Sequence, residues 1–311
     1  MRKILLPDTL TDTPALPAGW EAAVIDARAE IPAEHRDAEL LVVWGASRAH
    51  LASAARYLPR LRLVQSLAAG IEGILAAGFR DDVEIRSGAG LHSPTVTEHT
   101  IGLLLALVRS LPESLEAQHR GQWASHLGGL RELHPEGQLT TLLGARVLIW
   151  GFGDIGRTLA PILAALGAQV RGADRTAGAR GGFEVIATED VPSALPDTDV
   201  LIDILPATEQ TRHAVDAAVL AALPDHALVV NVGRGATLDQ DALRAALEAG
   251  TIGGAALDVT DPEPLPEGDP LWSAPRLIIT PHAAGGRPVG AAARIEEALR
   301  DLDGAPPATE A

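Results

Sequence analysis

Short apolar runs punctuate the N-terminal third of the chain, at residues 3–6, 22–25, 40–43, 61–66 and 83–85. Between them lie pieces of helical spacing or turn composition, such as 48–58 and 71–77. Runs that are apolar at nearly every position belong to strands buried on both faces, and strands alternating with helices build parallel sheets. The pattern therefore predicts a small parallel sheet. From Val147 onward the alternation becomes more regular, and 147–150, 169–173, 199–205, 228–232, 253–258 and 277–280 predict six strands in a doubly wound order. Helices are predicted between most of them, among them 216–223 and 238–249, the second closed by Gly250. Residues 96–109 are apolar on nearly every face and are predicted as a buried helix connecting two domains. Residues 116–144 have turn composition and are expected to form a protruding arm. A last helix over 291–302 precedes a Pro/Ala-rich tail expected to fray.

Length and composition sharpen this picture. At 311 residues the chain exceeds what one core usually organises, and it is 47% apolar with only 3% aromatic residues, so its cores are aliphatic. A net charge of −16, from 41 acidic and 25 basic residues, argues against nucleic acid and anionic membranes as partners. No cysteine is present, which removes disulfides, thiolate metal sites and cysteine nucleophiles, and suits a reducing cytoplasm. The apolar start is too short for a signal sequence and the longest apolar stretch, 101–108, is too short to span a bilayer. His119, His126 and His134 lack acidic or thiol partners at ligand spacing, so no metal site is expected.

The stretch Val147-Leu148-Ile149-Trp150-Gly151-Phe152-Gly153-Asp154-Ile155-Gly156 is a strand, a glycine turn and a helix start. In a Gly-x-Gly-x-x-Gly turn the first glycine permits the tight bend, the second lets backbone approach a pyrophosphate, and the third lets helix and strand pack closely. Asp174 closes the next strand, where an acidic side chain meets a ribose diol. That favours NAD, while Arg175 directly after it and Arg180 nearby keep NADP open. The cofactor contacts expected on this reading are Gly151, Phe152, Gly153, Asp154, Ile155 and Gly156, then Asp174 and Arg175, then Leu205, Pro206, Val232 and Gly233, with Asp258 at the end of a later strand.

Ligands of an open parallel sheet bind outside the carboxyl ends of its strands. Behind the later strands stand Gly233-Arg234-Gly235, Asp258 followed by Asp261-Pro262-Glu263-Pro264, and Thr280-Pro281-His282. Arg234 offers a fork of donors for a carboxylate. His282 is the one side chain of the group suited to move a proton near neutral pH, and Glu263 would hold and steady its imidazole. Ser66-Leu67-Ala68-Ala69-Gly70-Ile71, at an earlier strand end, reads either as a plain strand-to-helix turn or as a nest of backbone N–H groups for a carboxylate.

These motifs resemble those of the D-isomer-specific 2-hydroxyacid dehydrogenases. The resemblance runs through Leu67-Ala68-Ala69-Gly70-Ile71, Val96-Thr97-Glu98-His99, the glycine turn, Asn231-Val232-Gly233-Arg234-Gly235, Ala256-Leu257-Asp258-Val259, Glu263-Pro264-Leu265-Pro266, Pro270-Leu271-Trp272 and Thr280-Pro281-His282. It implies an α/β chain of two doubly wound parallel-sheet domains. A Rossmann dinucleotide-binding domain over 98–283 would be inserted into a flavodoxin-like substrate-binding domain over 1–97 and 284–311. It also implies Arg234 as substrate anchor, Glu263 and His282 as the acid/base pair, substrate contacts from the backbone of Ala69, Gly70 and Ile71, Asp258 near the nicotinamide amide, and a homodimer. The expected reaction is hydride transfer between NAD(P)H and a small 2-oxo or 2-hydroxy acid, glyoxylate and hydroxypyruvate among the candidates. The alternative is a nucleotide-sensing interaction protein, as the resembling corepressors are.

Overall fold

The structure, a computed structural model, describes residues 1–129, 132, 134–135 and 138–304. The predicted C-terminal tail lies outside them. The chain divides into two compact units, one of Met1–His92 with the stretch from Arg287 onward, the other of Ser93–Gly286.

In the first unit, strands β1 (Arg2–Pro7), β2 (Trp20–Ile25), β3 (Leu40–Val43), β4 (Leu63–Ser66) and β5 (Glu84–Arg86) form a parallel sheet in the order β2-β1-β3-β4-β5. Helices α1 (Arg48–Tyr57) and α2 (Glu72–Leu75) follow β3 and β4. Alternation along each strand sends its side chains to opposite faces. Leu5, Leu41, Val43 and Val64 pack with Leu51 and Ala54 of α1, while Ile4, Leu6, Leu40, Val42 and Leu63 form the core of the other face.

The second unit opens with α3 (Ser93–Val108) and α4 (Leu111–His119). Then come β6 (Arg146–Trp150), α5 (Asp154–Ala165), β7 (Gln169–Asp174), β8 (Gly178–Arg180), β9 (Phe183–Ala187), α6 (Val191–Ala194) and β10 (Val200–Asp203). The sheet is completed by α7 (Ala217–Ala222), β11 (Leu228–Asn231), α8 (Gln240–Ala249), β12 (Gly254–Leu257) and β13 (Leu277–Ile279). The strand order is β13-β12-β11-β10-β6-β7-β9-β8, parallel throughout except for β8. Its order reverses between β6 and β10, the switch point at which doubly wound sheets open a crevice. Two aliphatic clusters cover the faces, one with Leu104, Leu159 and Leu163 from α3 and α5, the other with Leu220, Leu243 and Leu247 from α7 and α8. Asp216 and Asp239 cap α7 and α8, accepting from Val219 N–H at 2.9 Å and Ala242 N–H at 3.0 Å, and Gly250 ends α8 with φ +68°.

The chain then returns to the first unit as α9 (Ala291–Gly304), whose Ile295, Ala298 and Leu299 complete the second face of that sheet. Among the described residues no helix is long and apolar enough to cross a membrane.

Three elements depart from the sequence expectation. The second sheet has eight strands where six were predicted, because β8 and β9 add a hairpin beyond β7. Gly178-Ala179-Arg180 is too short and too polar to carry a strand signal, and it is specified by pairing with β9. The turn-like composition over 116–144 overlaps the end of α4, a helix begun by Pro112 in its first turn but apolar on exposed positions such as Leu111 and Leu115. The strand predicted over 199–205 is shorter, because Asp199 and Ile204 lie outside the ladder.

Candidate active site

The glycine turn sits at the switch point. Gly151 has φ +102°, and a Cβ there would fall 2.6 Å from the Ile204 carbonyl oxygen, so only glycine lets β6 turn against β10. A Cβ on Gly156 would fall 3.2 Å from the Gly151 carbonyl, which keeps α5 close to the turn. The space over Gly153 is open, with nothing within 4 Å of a Cβ built there. Arg157 N–H makes the first helical bond, to Gly153 O at 3.0 Å, so the N–H groups of Asp154, Ile155 and Gly156 lead the helix with the positive end of its dipole. This is a cradle of the shape and polarity that a pyrophosphate fits. Phe152, expected among the cofactor contacts, has its side chain in the core. Its N–H donates to Ala173 O at 3.2 Å and its ring packs over Gly172 and near Phe183.

At the end of β7 the Asp174 carboxylate is already engaged. Oδ1 accepts from Arg175 N–H at 2.7 Å, and Oδ2 pairs with Arg180 Nη1 from β8. Arg180 also donates to Thr176 O at 2.9 Å, so the hairpin that the sequence pattern concealed carries a cation to the acidic residue the motif revealed. The Arg175 side chain is exposed beside them.

Arg234 leaves the end of β11 on a loop with no room to spare. A Cβ on Gly233 would lie 2.7 Å from Leu205 O, and one on Gly235 would lie 2.1 Å from Thr260 O. Leu205 and Val232 are buried wall residues of this turn, while Pro206 is exposed. Asn231 supports the loop from beneath, its Oδ1 accepting from Gly233 N–H at 2.9 Å and its Nδ2 donating to Arg234 O at 3.1 Å. The half-buried guanidinium is steered by one bond, Nη1 to Gly233 O at 2.8 Å, which leaves the rest of its fork for a ligand.

On the neighbouring strand ends His282 Nδ1 lies 2.9 Å from Glu263 Oε2. Thr260 N–H donates to Glu263 Oε1 at 3.1 Å, fixing the carboxylate plane. The His282 side chain is 50% exposed and that of Glu263 38%, so the imidazole can meet a small molecule through its other nitrogen. His282 itself has φ +52°, a left-handed conformation that costs about 1 kcal/mol for a residue with a Cβ. Asp258 holds it there. Its carboxylate accepts from Thr280 Oγ1 at 2.6 Å, Ala283 N–H at 2.8 Å and Ala284 N–H at 2.9 Å, and its carbonyl accepts from His282 N–H at 2.8 Å. His99 Nε2, from α3, lies 3.2 Å from the same carboxylate and 3.0 Å from Thr280 Oγ1. Asp258 is thus occupied by the turn that carries His282, and its 1% exposure leaves little of it for a nicotinamide amide.

In the first unit, Ala69, Gly70 and Ile71 leave the end of β4 as a partly exposed loop into α2. Ser66 Oγ accepts from Ala68 N–H at 3.1 Å, and Gly88 N–H donates to Ala68 O at 2.7 Å, so the loop is held from its first residue. Near it Trp44 and His92 stack with ring centroids 5.2 Å apart, His92 Nε2 lying 2.9 Å from Leu67 O.

The sequence pointed to Arg234, Glu263 and His282 but not to the polar residues that brace them: Thr260, Thr280 and His99, and Thr237, whose hydroxyl lies 2.6 Å from both the Arg234 carbonyl oxygen and the buried Asp203 carboxylate. Asp203 had a signal, as the one charged position on the strand Val200-Leu201-Ile202-Asp203. Thr280 and His99 have partners 22 and 181 positions away, while Thr260 and Thr237 bond residues three positions off without any pattern that marks them out from other threonines.

Residues 101–284 match the family described as D-isomer specific 2-hydroxyacid dehydrogenase, NAD binding domain. The chain is 32% identical over 255 residues to glyoxylate/hydroxypyruvate reductase A HPR2 of Arabidopsis thaliana, covering 81% of this chain and 77% of that one. A D-isomer specific 2-hydroxyacid dehydrogenase family protein from Aeromonas salmonicida subsp. salmonicida A449 matches with TM-score 0.79 and 29% identity, covering 98% of this chain and 97% of that one. An NADPH-dependent glyoxylate/hydroxypyruvate reductase from Sinorhizobium meliloti, in complex with NADP and sulfate, matches with TM-score 0.77 and 25% identity, covering 99% and 96%.

Proposed function

Because this chain belongs to the D-isomer specific 2-hydroxyacid dehydrogenase family, we propose that it interconverts a small 2-oxo acid and the D-2-hydroxy acid using NAD(P)H, with glyoxylate or hydroxypyruvate as substrate. The observation that carries this reading is the half-exposed His282–Glu263 pair, 2.9 Å apart, at the edge of the sheet from which Arg234 also emerges. The names of the relatives favour an enzyme over the nucleotide-sensing alternative.

Each group then has one task. Arg234 pairs its free donors with the substrate carboxylate and polarises the neighbouring carbonyl oxygen. A bound nicotinamide would supply the hydride for reduction of the carbonyl carbon and accept it in oxidation. His282 gives a proton to the carbonyl oxygen as that carbon is reduced, and removes it from the hydroxyl in the reverse direction. Glu263 faces Nδ1, so Nε2 is the nitrogen left to carry that proton, and the carboxylate offsets the imidazolium charge. Ala69, Gly70 and Ile71 supply backbone contacts to the substrate. The glycine turn and the first N–H groups of α5 would hold the pyrophosphate. The Asp174–Arg180 pair meets the adenosine ribose with its acidic charge balanced, so we read the chain as accepting NADPH as well as NADH. Leu111, Leu115 and Trp123 are exposed apolar residues of α4 and the segment after it, which suits a homodimer interface, and the absence of cysteine suits a cytoplasmic setting.

The test follows the absorbance of each reduced nicotinamide with a panel of 2-oxo acids. The wild type should turn over at least one of them. His282→Gln should lose about 10³-fold in kcat, the middle of the range for general acid–base assistance, with NADPH binding unchanged. Tight NADPH binding without turnover of any 2-oxo acid would contradict the assignment.

A further inference from the structure

The hydrogen bonds behind Arg234 do not balance unless a second proton is supplied. Thr237 Oγ1 lies 2.6 Å from Asp203 Oδ2 and 2.6 Å from the Arg234 carbonyl oxygen. A hydroxyl has one proton, and oxygens this close to one another are held by a proton between them. If Thr237 donates to an ionised Asp203, its lone pairs face those of the Arg234 carbonyl across an empty contact. If it donates to Arg234, the contact with Asp203 is empty unless Asp203 itself is the donor. Two further donors reach the same Arg234 carbonyl, Asn231 Nδ2 at 3.1 Å and Thr237 N–H at 3.1 Å, but neither places a proton between the two close oxygen pairs, and Asn231 Nδ2 stands 3.4 Å from the hydroxyl.

We propose that Asp203 is a protonated positioning residue, whose carboxyl proton starts a relay through the Thr237 hydroxyl to the Arg234 carbonyl and so sets the loop that presents the guanidinium. The inference rests on the reading of Arg234 as the substrate anchor. The surroundings agree with a neutral acid. Asp203 is fully buried, and among the described residues its other oxygen accepts only Leu205 N–H at 2.9 Å and no arginine, lysine or histidine pairs with it. Its register partners on β6 and β11 are the uncharged Trp150 and Asn231. The covering elements bring Val215, Leu220, Leu238 and Leu243 to this face. Their titratable groups, His213, Asp216, Asp239, Asp241, Arg244 and Glu248, are half-buried or exposed, and none is a partner of Asp203. Burial pushes the Asp203 carboxyl up to about 6, against the opposing pull of the Thr237 hydroxyl and the Leu205 N–H.

Asp203→Asn tests the proton directly, because its amide keeps a donor for Thr237 and an acceptor for Leu205 without a charge. Its KM for glyoxylate should stay within about threefold of the wild type at pH about 6 and remain flat as pH rises, with kcat and NADPH binding unchanged. The wild-type KM should climb over the same range as Asp203 ionises, and Thr237→Val should raise KM by about tenfold at every pH. Infrared difference spectra supply a readout independent of turnover: the wild type should show the carbonyl stretch of a protonated carboxylic acid at pH about 6, missing in Asp203→Asn. If Asn is not tolerated, the same band shifted in Thr237→Val serves instead. Absence of that band, or an Asp203→Asn variant that folds yet loses about tenfold or more in KM at every pH, would overturn the proposal. An Arg234→Gln control with unaltered KM would remove the anchor reading, while the infrared band would still decide the proton.

Discussion

His226 Nε2 lies 2.8 Å from Asp199 Oδ1, and His282 Nδ1 lies 2.9 Å from Glu263 Oε2, so distance does not separate these two of the histidine–carboxylate pairs in the second unit. Concavity does not separate them either, since Asp199 and His226 border a surface hollow with Pro135, Gln138 and Gly144. What differs is how much of each carboxylate is spoken for. Asp199 accepts Arg146 Nη2 at 2.8 Å, Arg146 Nε at 3.1 Å and Arg146 N–H at 2.7 Å as well as His226, and its side chain is 11% exposed. It is closed to further chemistry and ties the start of β6 to the start of β10. Among the described residues Glu263 accepts one backbone N–H and His282 and pairs with no arginine or lysine, and it sits at the opposite edge, where the strands end. A neutralised, saturated pair is a staple; a pair with an unbalanced carboxylate and an open imidazole face can pass a proton.

The comparison breaks most visibly at Glu263. Glu263→Gln keeps the shape and removes the charge that offsets the imidazolium, so kcat should fall by about 10²-fold while the melting temperature stays within a degree or two of the wild type, measured by steady-state rates and thermal unfolding. Arg146→Met should do the reverse. It leaves the rates unchanged and lowers stability by about 1–2 kcal/mol, discounted because the Arg146 side chain is 40% exposed and screened by solvent. The pH dependence sharpens the same point. Burial alone would raise the Asp199 pKa, but hydrogen bonds from Arg146 and His226 outweigh it and lower the group from 3.8 to about 2. The native state therefore binds fewer protons than the unfolded chain in that window, and the pair's contribution is present above pH about 4 and lost as pH falls through about 2. Denaturant titrations across that range should show a steeper acid limb in the wild type than in Arg146→Met. Smallest of all, His226→Gln should cost about 1 kcal/mol of stability, the worth of one partly exposed hydrogen bond to a charge that Arg146 still holds.

Much of this was legible in the residues, for reasons that differ from part to part. The apolar strands and the glycine turn carry strong local signals, because burial on two faces and a bend with φ +102° at Gly151 restrict which residues can stand there. Arg234, Glu263 and His282 were legible through their place just after predicted strands. The edge hairpin β8–β9 was not, since its pairing partner rather than its composition makes it a strand. Nor were the supports of the site. Thr280 and His99 act through bonds to residues 22 and 181 positions away, which no local pattern announces, and Thr260 acts through its backbone N–H, a donor that any residue but proline carries. Nor did the sequence tell that the Phe152 ring is drawn under Gly172 while its neighbours in the turn are exposed, or that Arg180, near Asp174 in sequence, pairs with it from the strand the pattern concealed.

His282 with Glu263 moves a proton, and His226 with Asp199 holds two strands together. The two roles separate when kcat/KM and unfolding free energy are measured side by side for His282→Gln and His226→Gln. The expected result is crossed, with about 10³-fold loss of turnover and no loss of stability at His282, and unchanged turnover with about 1 kcal/mol of destabilisation at His226. Turnover lost equally at both positions, or retained at His282, would contradict it.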